Sequence, residues 1–331
     1  MTDNTVTSAE QTNPATRWPD NWIDREFRKL MDFIAARDQN QVREAVIANL
    51  ARFERNDRGN YQATVDYYNK YKLWGEYHPE AGNYELIDNR TYELWKHRPD
   101  FEWLYGRLQD YRSKKVLVNI LSYWLSWEYS YITDLVDHYY HQYFDYDIIG
   151  FGTDEVVVDL GAYIGDTMVD YVNMVGAESF QRYYCYEIVP ESLFYIEKNI
   201  ERFGLKNVVI RAKGASDKSG LLRIACENAP STSRLAESGG LEVPTVAIDD
   251  DIDEPVTFIK MDVEGGEEQA LNGCRRKILE SHPKLALAAY HNHKDLWKLA
   301  RIVDGMDPDY RFYLRYYGMS LLPTEYVLYA L

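Results

Sequence analysis

Four short stretches hold most of the residues able to do chemistry, and each closes a run of apolar residues. The first, Asp159-Leu160-Gly161-Ala162-Tyr163-Ile164-Gly165-Asp166-Thr167, follows Val156-Val157-Val158. Its glycines let backbone approach a ligand, and the helical stretch opening at Asp166 offers free N–H groups. That pattern predicts a nucleotide or nucleoside site. The spacing is Gly-x-x-x-Gly with acids on both sides, whereas a dinucleotide site uses Gly-x-Gly-x-x-Gly to seat a pyrophosphate. Flanking carboxylates suit a cationic ligand and argue against a nicotinamide-dependent dehydrogenase.

The second stretch ends in Glu187, a carboxylate able to accept both hydroxyls of a ribose. A later segment, Lys213-Gly214-Ala215-Ser216-Asp217, has the residues of any turn and a position that could border an adenine ring. The third stretch, Lys260-Met261-Asp262-Val263-Glu264-Gly265-Gly266-Glu267, packs three carboxylates, a lysine and two glycines into one turn, and the fourth is Tyr290-His291-Asn292-His293.

These residues must be held by alternating strands and helices. The runs EVVVDL, RYYCYE, NVVIRA, VTFIKMD and KLALAAY read as strands. Between them lie the helical stretches Asp166 to Val175, PESLFYIEKNIERFG, EEQALNGCRRKIL and KDLWKLARIV. Such alternation predicts an α/β fold whose mostly parallel sheet is covered on both faces. FYLRYYG and EYVLYAL predict an antiparallel hairpin at its edge. With the fourth strand beside the first and the fifth beside the fourth, Asp262, Glu264 and His291 meet in front of the ligand. DDDIDE, at Asp249 to Glu254, reads as a solvated loop.

Upstream the texture differs. Residues 1–17 are too polar to pack and read as a disordered tail, and 18–148 read as a helical region. Ile23, Phe27, Leu30, Met31 and Ile34 recur at helical spacing, as do Val42, Val46, Leu50 and Phe53. A third pattern runs Val116, Ile120, Trp124, Trp127, and a fourth Ile132, Leu135, Tyr139, Tyr143. An extension of this size suits dimerisation, substrate capture or a lid. Residues 149–331 read as the ligand-binding domain.

Composition narrows the function. The chain has 331 residues, with 37 Lys and Arg against 53 Asp and Glu and a formal net charge of −16, which repels nucleic acid and anionic lipid. Cys185, Cys226 and Cys274 form no Cys-x-x-Cys pair, so neither a disulfide framework nor a zinc knuckle is written here. The polar start and the lack of a long apolar run predict no signal peptide or membrane span. The expectation is a cytoplasmic protein.

At the motif residues the chain resembles the FkbM-type methyltransferases, a Rossmann-like, class I family dependent on S-adenosylmethionine. The likeness rests on HQYFDYDII, EVVVDLGAYIGDT, YEIVPES, FIKMDVEGGEEQAL, PKLALAAYH with KDLW, and YRFYLRYYG with EYVLYA. It implies that Asp159, Gly161, Ala162, Tyr163, Gly165, Asp166 and Thr167 line the methionine end of the cofactor. By the same likeness Glu187 holds the ribose and Ala215, Ser216 and Asp217 lie by the adenine. The resemblance also implies O-methylation, commonly of a sugar or glycosylated natural product. Gly266 and Glu268 depart from the residues common in the family.

An acceptor hydroxyl must be aligned with the methyl and relieved of its proton. His291 is the candidate general base, with Asp262 or Glu264 orienting its ring or the acceptor. The rival reading makes Asp262, Glu264 and His291 ligands of Mg²⁺ or a similar ion that lowers the hydroxyl pKa. A structural reading gives Glu264 and Glu267 to a helix N-terminus, His291 to the core and His293 to support. Trp124, Trp127, Tyr139 and Tyr143 fit a core; Tyr143 and Phe144 also suit a cover over the cofactor or a surface for a sugar. Outside enzymes, the same pattern fits a regulatory or scaffold protein that binds S-adenosylmethionine without turnover.

Overall fold

The computed structural model describes residues 21–136, 139–226, 233–235 and 241–331. The predicted tail lies outside them. Helix α1 (Trp22–Ala35) opens on a reciprocal capping box of Asn21 and Asp24, and α2 (Gln39–Asn56) on one of Asp38 and Gln41. The apolar stripes read from the sequence are buried on both. Then come α3 (Arg58–Tyr71), α4 (Glu85–Lys96), α5 (Arg98–Arg107), α6 (Tyr111–Ser126) and the single turn α7 (Ser130–Thr133).

One expectation changes here. Between the helical patterns read from the sequence, α4 buries Leu86, Ile87, Arg90 and Leu94 and is followed directly by α5. The fourth helix does not continue to Tyr143. Trp127 ends α6 in the left-handed region at φ 59°, Tyr139 is exposed, and Tyr143 has φ 72°. Local pattern yields there to tertiary pull: Phe144 is fully buried, and Tyr143 hydrogen-bonds across the molecule.

The main sheet has strands β1 (Glu155–Leu160), β2 (Phe180–Tyr186), β3 (Val208–Arg211), β8 (Phe258–Met261), β9 (Lys284–Ala288), β10 (Phe312–Tyr316) and β11 (Tyr326–Ala330). Their order is β10-β11-β9-β8-β1-β2-β3. The pairs from β9 through β3 are parallel, while β11 is antiparallel to both β9 and β10, which forms the edge. This is the predicted mostly parallel, Rossmann-like sheet with its hairpin. Helices α8 (Asp166–Val175), α9 (Pro190–Phe203) and α13 (Asp295–Met306) connect it.

A second sheet, which the sequence reading did not anticipate, pairs β4 (Gly214–Ala215), β5 (Gly220–Cys226), β6 (Ser233–Leu235) and β7 (Leu241–Val246) in the order β4-β7-β5-β6. The stretch EEQALNGCRRKIL breaks into α11 (Glu267–Asn272) and α12 (Arg275–Ser281) at Gly273, where a Cβ would lie 1.9 Å from the Ser216 carbonyl oxygen. Nor is the acidic stretch a solvated loop. Ile248–Asp251 forms a short helical turn, α10, whose Asp251 takes hydrogen bonds from Tyr186, Arg211 and Lys213.

The helical layer shares one core with this sheet. Arg315 on β10 is buried against Asp145 at 2.8 Å and Asp110, the cap of α6, at 2.7 Å. The Ser113 hydroxyl accepts the Leu314 N–H at 2.9 Å. No helix among the described residues is long and apolar enough to cross a membrane.

Candidate functional site

The loop between β1 and α8 is shaped by its neighbours before any ligand arrives. Gly161 has φ 80°, and a Cβ there would sit 1.8 Å from the Asp262 carbonyl oxygen. Its glycine is required by contact with the turn after β8, so the first and third motifs are locked together. Gly165, at φ 79°, turns the chain into α8. Asp166 faces solvent at the helix start, and Ala162 and Thr167 are buried.

Asp159 is fully buried between two partners. Its Oδ1 is 3.0 Å from the Lys260 ammonium, and its Oδ2 accepts the Tyr183 hydroxyl at 3.1 Å. Lys260 also donates to the Gly161 carbonyl at 2.6 Å, fastening the loop from beneath. Burial alone would lower the Lys260 pKa, but Asp159 and Asp262 more than reverse that and raise it. The lysine is thus a permanent cation under the loop.

Glu187, nearly buried, accepts the backbone N–H groups of Tyr163, Ile188 and Val189 at 2.7–2.8 Å. It joins the end of β2 to the glycine loop. Burial raises its pKa, against those three hydrogen bonds. Ala215 pairs with Val246, and the Ser216 N–H binds the Val246 carbonyl at 2.9 Å. Asp217 stands exposed beside the Ser216 hydroxyl.

Beyond the ends of β8 and β9 the predicted meeting of Asp262, Glu264 and His291 takes place. One ligand-capable atom of each lies within 4.8 Å of the other two. The His291 Nε2 is 3.3 Å from Asp262 Oδ1 and 3.6 Å from Glu264 Oε2, while its Nδ1 is 2.8 Å from Glu267 Oε1. His291 and Glu267 are fully enclosed, whereas Glu264 keeps 36% of its side chain open. Burial would depress the His291 pKa, but Glu267, Asp262 and Glu264 hold it well above the usual histidine range. Loss of water pushes Glu264 up to about 7, against the pull of His291 and with help from Asp262, Glu267 and Glu325.

Tyr143 closes the cluster on the other side. Its hydroxyl donates to Asp262 Oδ2 at 2.7 Å, and its ring lies 5.2 Å from the Lys260 ammonium. It bridges the third motif and the lysine that holds the first. Gln142 donates to Glu325 Oε2 at 2.9 Å, and Tyr290 approaches Asp262 Oδ2 at 3.4 Å.

Sequence reasoning gave no role to Lys260, Tyr290 or Glu325, and it placed Glu267 only at a helix terminus. A lysine inside the buried run Phe258–Met261 was itself a signal, because such a charge needs a partner. Glu325 carried none, since its place depends on the antiparallel return of β11.

With this geometry in view, residues 159–321 match the FkbM methyltransferase domain. This part of the chain is therefore a methyltransferase domain of the FkbM family, within the Rossmann-like class that the sheet defines. The crystal structure of methyltransferase FkbM from Methylobacillus flagellatus is 28% identical, with a TM-score of 0.64 over 74% of this chain and 61% of that one. The chain thus spans about three fifths of that relative's length. An rRNA methylase from Streptococcus thermophilus is 15% identical, covering 62% of this chain and 93% of its own at a TM-score of 0.36. That likeness is too slight to bear on function. No curated protein sequence matches.

Proposed function

We propose that the chain transfers a methyl group from S-adenosylmethionine to a hydroxyl oxygen of a sugar or glycosylated natural product. The observation that carries this reading is the convergence of Asp262, Glu264 and His291 beside the β1–α8 loop, at the carboxyl ends of adjacent parallel strands. Around that loop the acids Asp159, Asp166 and Glu187 outnumber Lys260, a donor set that fits a cationic nucleoside. S-adenosylmethionine supplies a methyl group on a sulfonium, ready for in-line displacement.

The chain's own residues have three tasks. Glu187 and the glycine loop orient the nucleoside, Lys260 holds that loop, and Tyr143 fixes the Asp262 carboxylate. The cluster then sets the acceptor hydroxyl about 3 Å from the methyl and takes its proton. His291 does so as general base once it gives up the proton that its carboxylate neighbours favour. A cation such as Mg²⁺ on Asp262, Glu264 and His291 would reach the same end by making the hydroxyl more acidic. The unsatisfied His291 Nε2, aimed at two carboxylates, favours this second route.

The test is formation of S-adenosylhomocysteine over a panel of oligosaccharides and glycosylated small molecules, beside calorimetric binding of S-adenosylhomocysteine. The expected result is turnover with a hydroxylated acceptor, reduced about 10²–10⁴-fold in His291→Ala while nucleoside binding persists. Tight binding with no turnover on any acceptor would replace the enzyme with a nucleoside-binding scaffold.

A further inference from the structure

The cluster beyond β8 and β9 has features that general acid–base chemistry does not require. The His291 Nε2 and Asp262 Oδ1 are both buried and both lack a hydrogen-bond partner, although they stand 3.3 Å apart. At that distance an aligned N–H···O bond would form; instead the two atoms border a common point. Ligand atoms about 2.1 Å from one metal ion are spaced in this way.

The surroundings orient each atom toward that point. The His291 ring is 1% exposed, and its Nδ1 is held at 2.8 Å by Glu267, which also accepts the Val263 and Gly265 N–H groups at 3.0 and 3.3 Å. A carboxylate behind a histidine fixes the tautomer and the angle of a ligating imidazole. Asp262 gives its Oδ2 to Tyr143 and leaves Oδ1 free of hydrogen bonds. Glu264 reaches the same point from left-handed backbone, at φ 55°, a conformation that persists where the surroundings impose it.

We infer that Asp262, Glu264 and His291 form a binding site for one divalent cation of the first-row transition series, such as Mn²⁺, in preference to Mg²⁺, with Glu267 as the positioning residue behind His291. The donor set decides the preference. An imidazole with two carboxylates and open positions suits Mn²⁺, Fe²⁺ and their neighbours, whereas Mg²⁺ favours an all-oxygen shell. Two carboxylates with a neutral imidazole balance a dication. The open side of Glu264 leaves room for water or an acceptor hydroxyl. The cation's use in catalysis rests on the methyl-transfer reading; its binding does not.

The experiment uses the full chain stripped with a chelator, titrated with MnCl₂ and separately with MgCl₂. Binding is followed by calorimetry and by loss of the free-Mn²⁺ paramagnetic resonance signal. One Mn²⁺ per chain is expected, bound at least about tenfold more tightly than Mg²⁺. Glu264→Gln and His291→Gln should each weaken Mn²⁺ by about 100-fold or more, and Glu267→Gln by about 10–100-fold. Binding of S-adenosylhomocysteine and the circular-dichroism melt identify variants that still fold. No Mn²⁺ uptake at millimolar concentration, equal affinity for Mg²⁺, or uptake unchanged in folded His291→Gln overturns the inference. Mn²⁺ uptake without methyl transfer to any acceptor would leave the site standing and remove the enzymatic reading.

Discussion

His291 and His293 lie two residues apart on one loop, yet they occupy opposite electrical worlds. His291 points toward the strand ends, where Glu267, Asp262 and Glu264 raise its pKa well above the usual histidine range. His293 points into the helical layer. There its ring meets the edge of Trp124 at 4.8 Å, and its Nε2 lies 3.4 Å from the Arg90 Nε. Burial and the Arg90 charge drive its pKa well below the usual value, so it is neutral and accepts the guanidinium hydrogen. Arg90 is itself buried, with the Tyr68 hydroxyl at 3.1 Å and the Trp127 ring at 4.2 Å. The lesson is that His-x-His defines no chemistry; one neighbour turns an imidazole toward cations and another turns it into a buried acceptor.

The strongest way to break this contrast is to exchange the two losses. His291→Ala should lower kcat/KM by about 10²–10⁴-fold and His293→Phe by less than about tenfold, measured on one acceptor. Equal losses would mean that both rings serve the reaction. Gly161→Ala attacks the acidic side alone, because its methyl meets the Asp262 carbonyl oxygen at positive φ. It should cost at least about 3 kcal/mol in denaturant melts while leaving the His293 resonances in place.

Arg90→Ala attacks the other side. Lost ring contacts and hydrogen bonds should cost about 2–4 kcal/mol, and the His293 ring should titrate nearer the usual histidine value in NMR. The sign of its pH dependence follows from linkage. His293 is depressed on folding, so below about pH 6.5 the unfolded chain binds more protons and the wild type loses stability as pH falls. His293→Phe should lose less over that interval.

The smallest effect should come from Asp251→Asn, whose hydrogen-bond partners are Tyr186, Arg211 and Lys213. Lys213, Tyr186 and Arg211 lower the Asp251 pKa against its partial burial. Its contribution, about 1–3 kcal/mol, is present at neutral pH and lost as pH falls through about 4 and below. The melts of variant and wild type should converge there, with neither histidine shifted.

Much of the sheet was legible because β1, β2, β8 and β9 are short apolar runs, each closed by polar residues. The meeting of Asp262, Glu264 and His291 followed from strand adjacency alone. Contacts between distant segments were not legible. Tyr139 and Tyr143 have helical spacing, yet Tyr139 is exposed and Tyr143 is drawn to Asp262. The need for glycine at 273 comes from the Ser216 carbonyl, which no local pattern contains. The role of Glu267 was hidden for the same reason, and Lys260, though marked by its buried run, gave no sign of which segment holds its partners.

The order of strands also carries a kinetic consequence. β1 has two neighbours, β2, which follows after one helix, and β8, just before which the Thr257 hydroxyl accepts the Val156 N–H across 101 residues of chain. Closing so large a loop costs entropy before any contact rewards it, and the β1–α8 loop gains its supports, the Lys260 ammonium and the Asp262 carbonyl, only when β8 arrives. A refolding experiment should therefore recover affinity for S-adenosylhomocysteine and turnover together, at the rate at which β8 docks against β1.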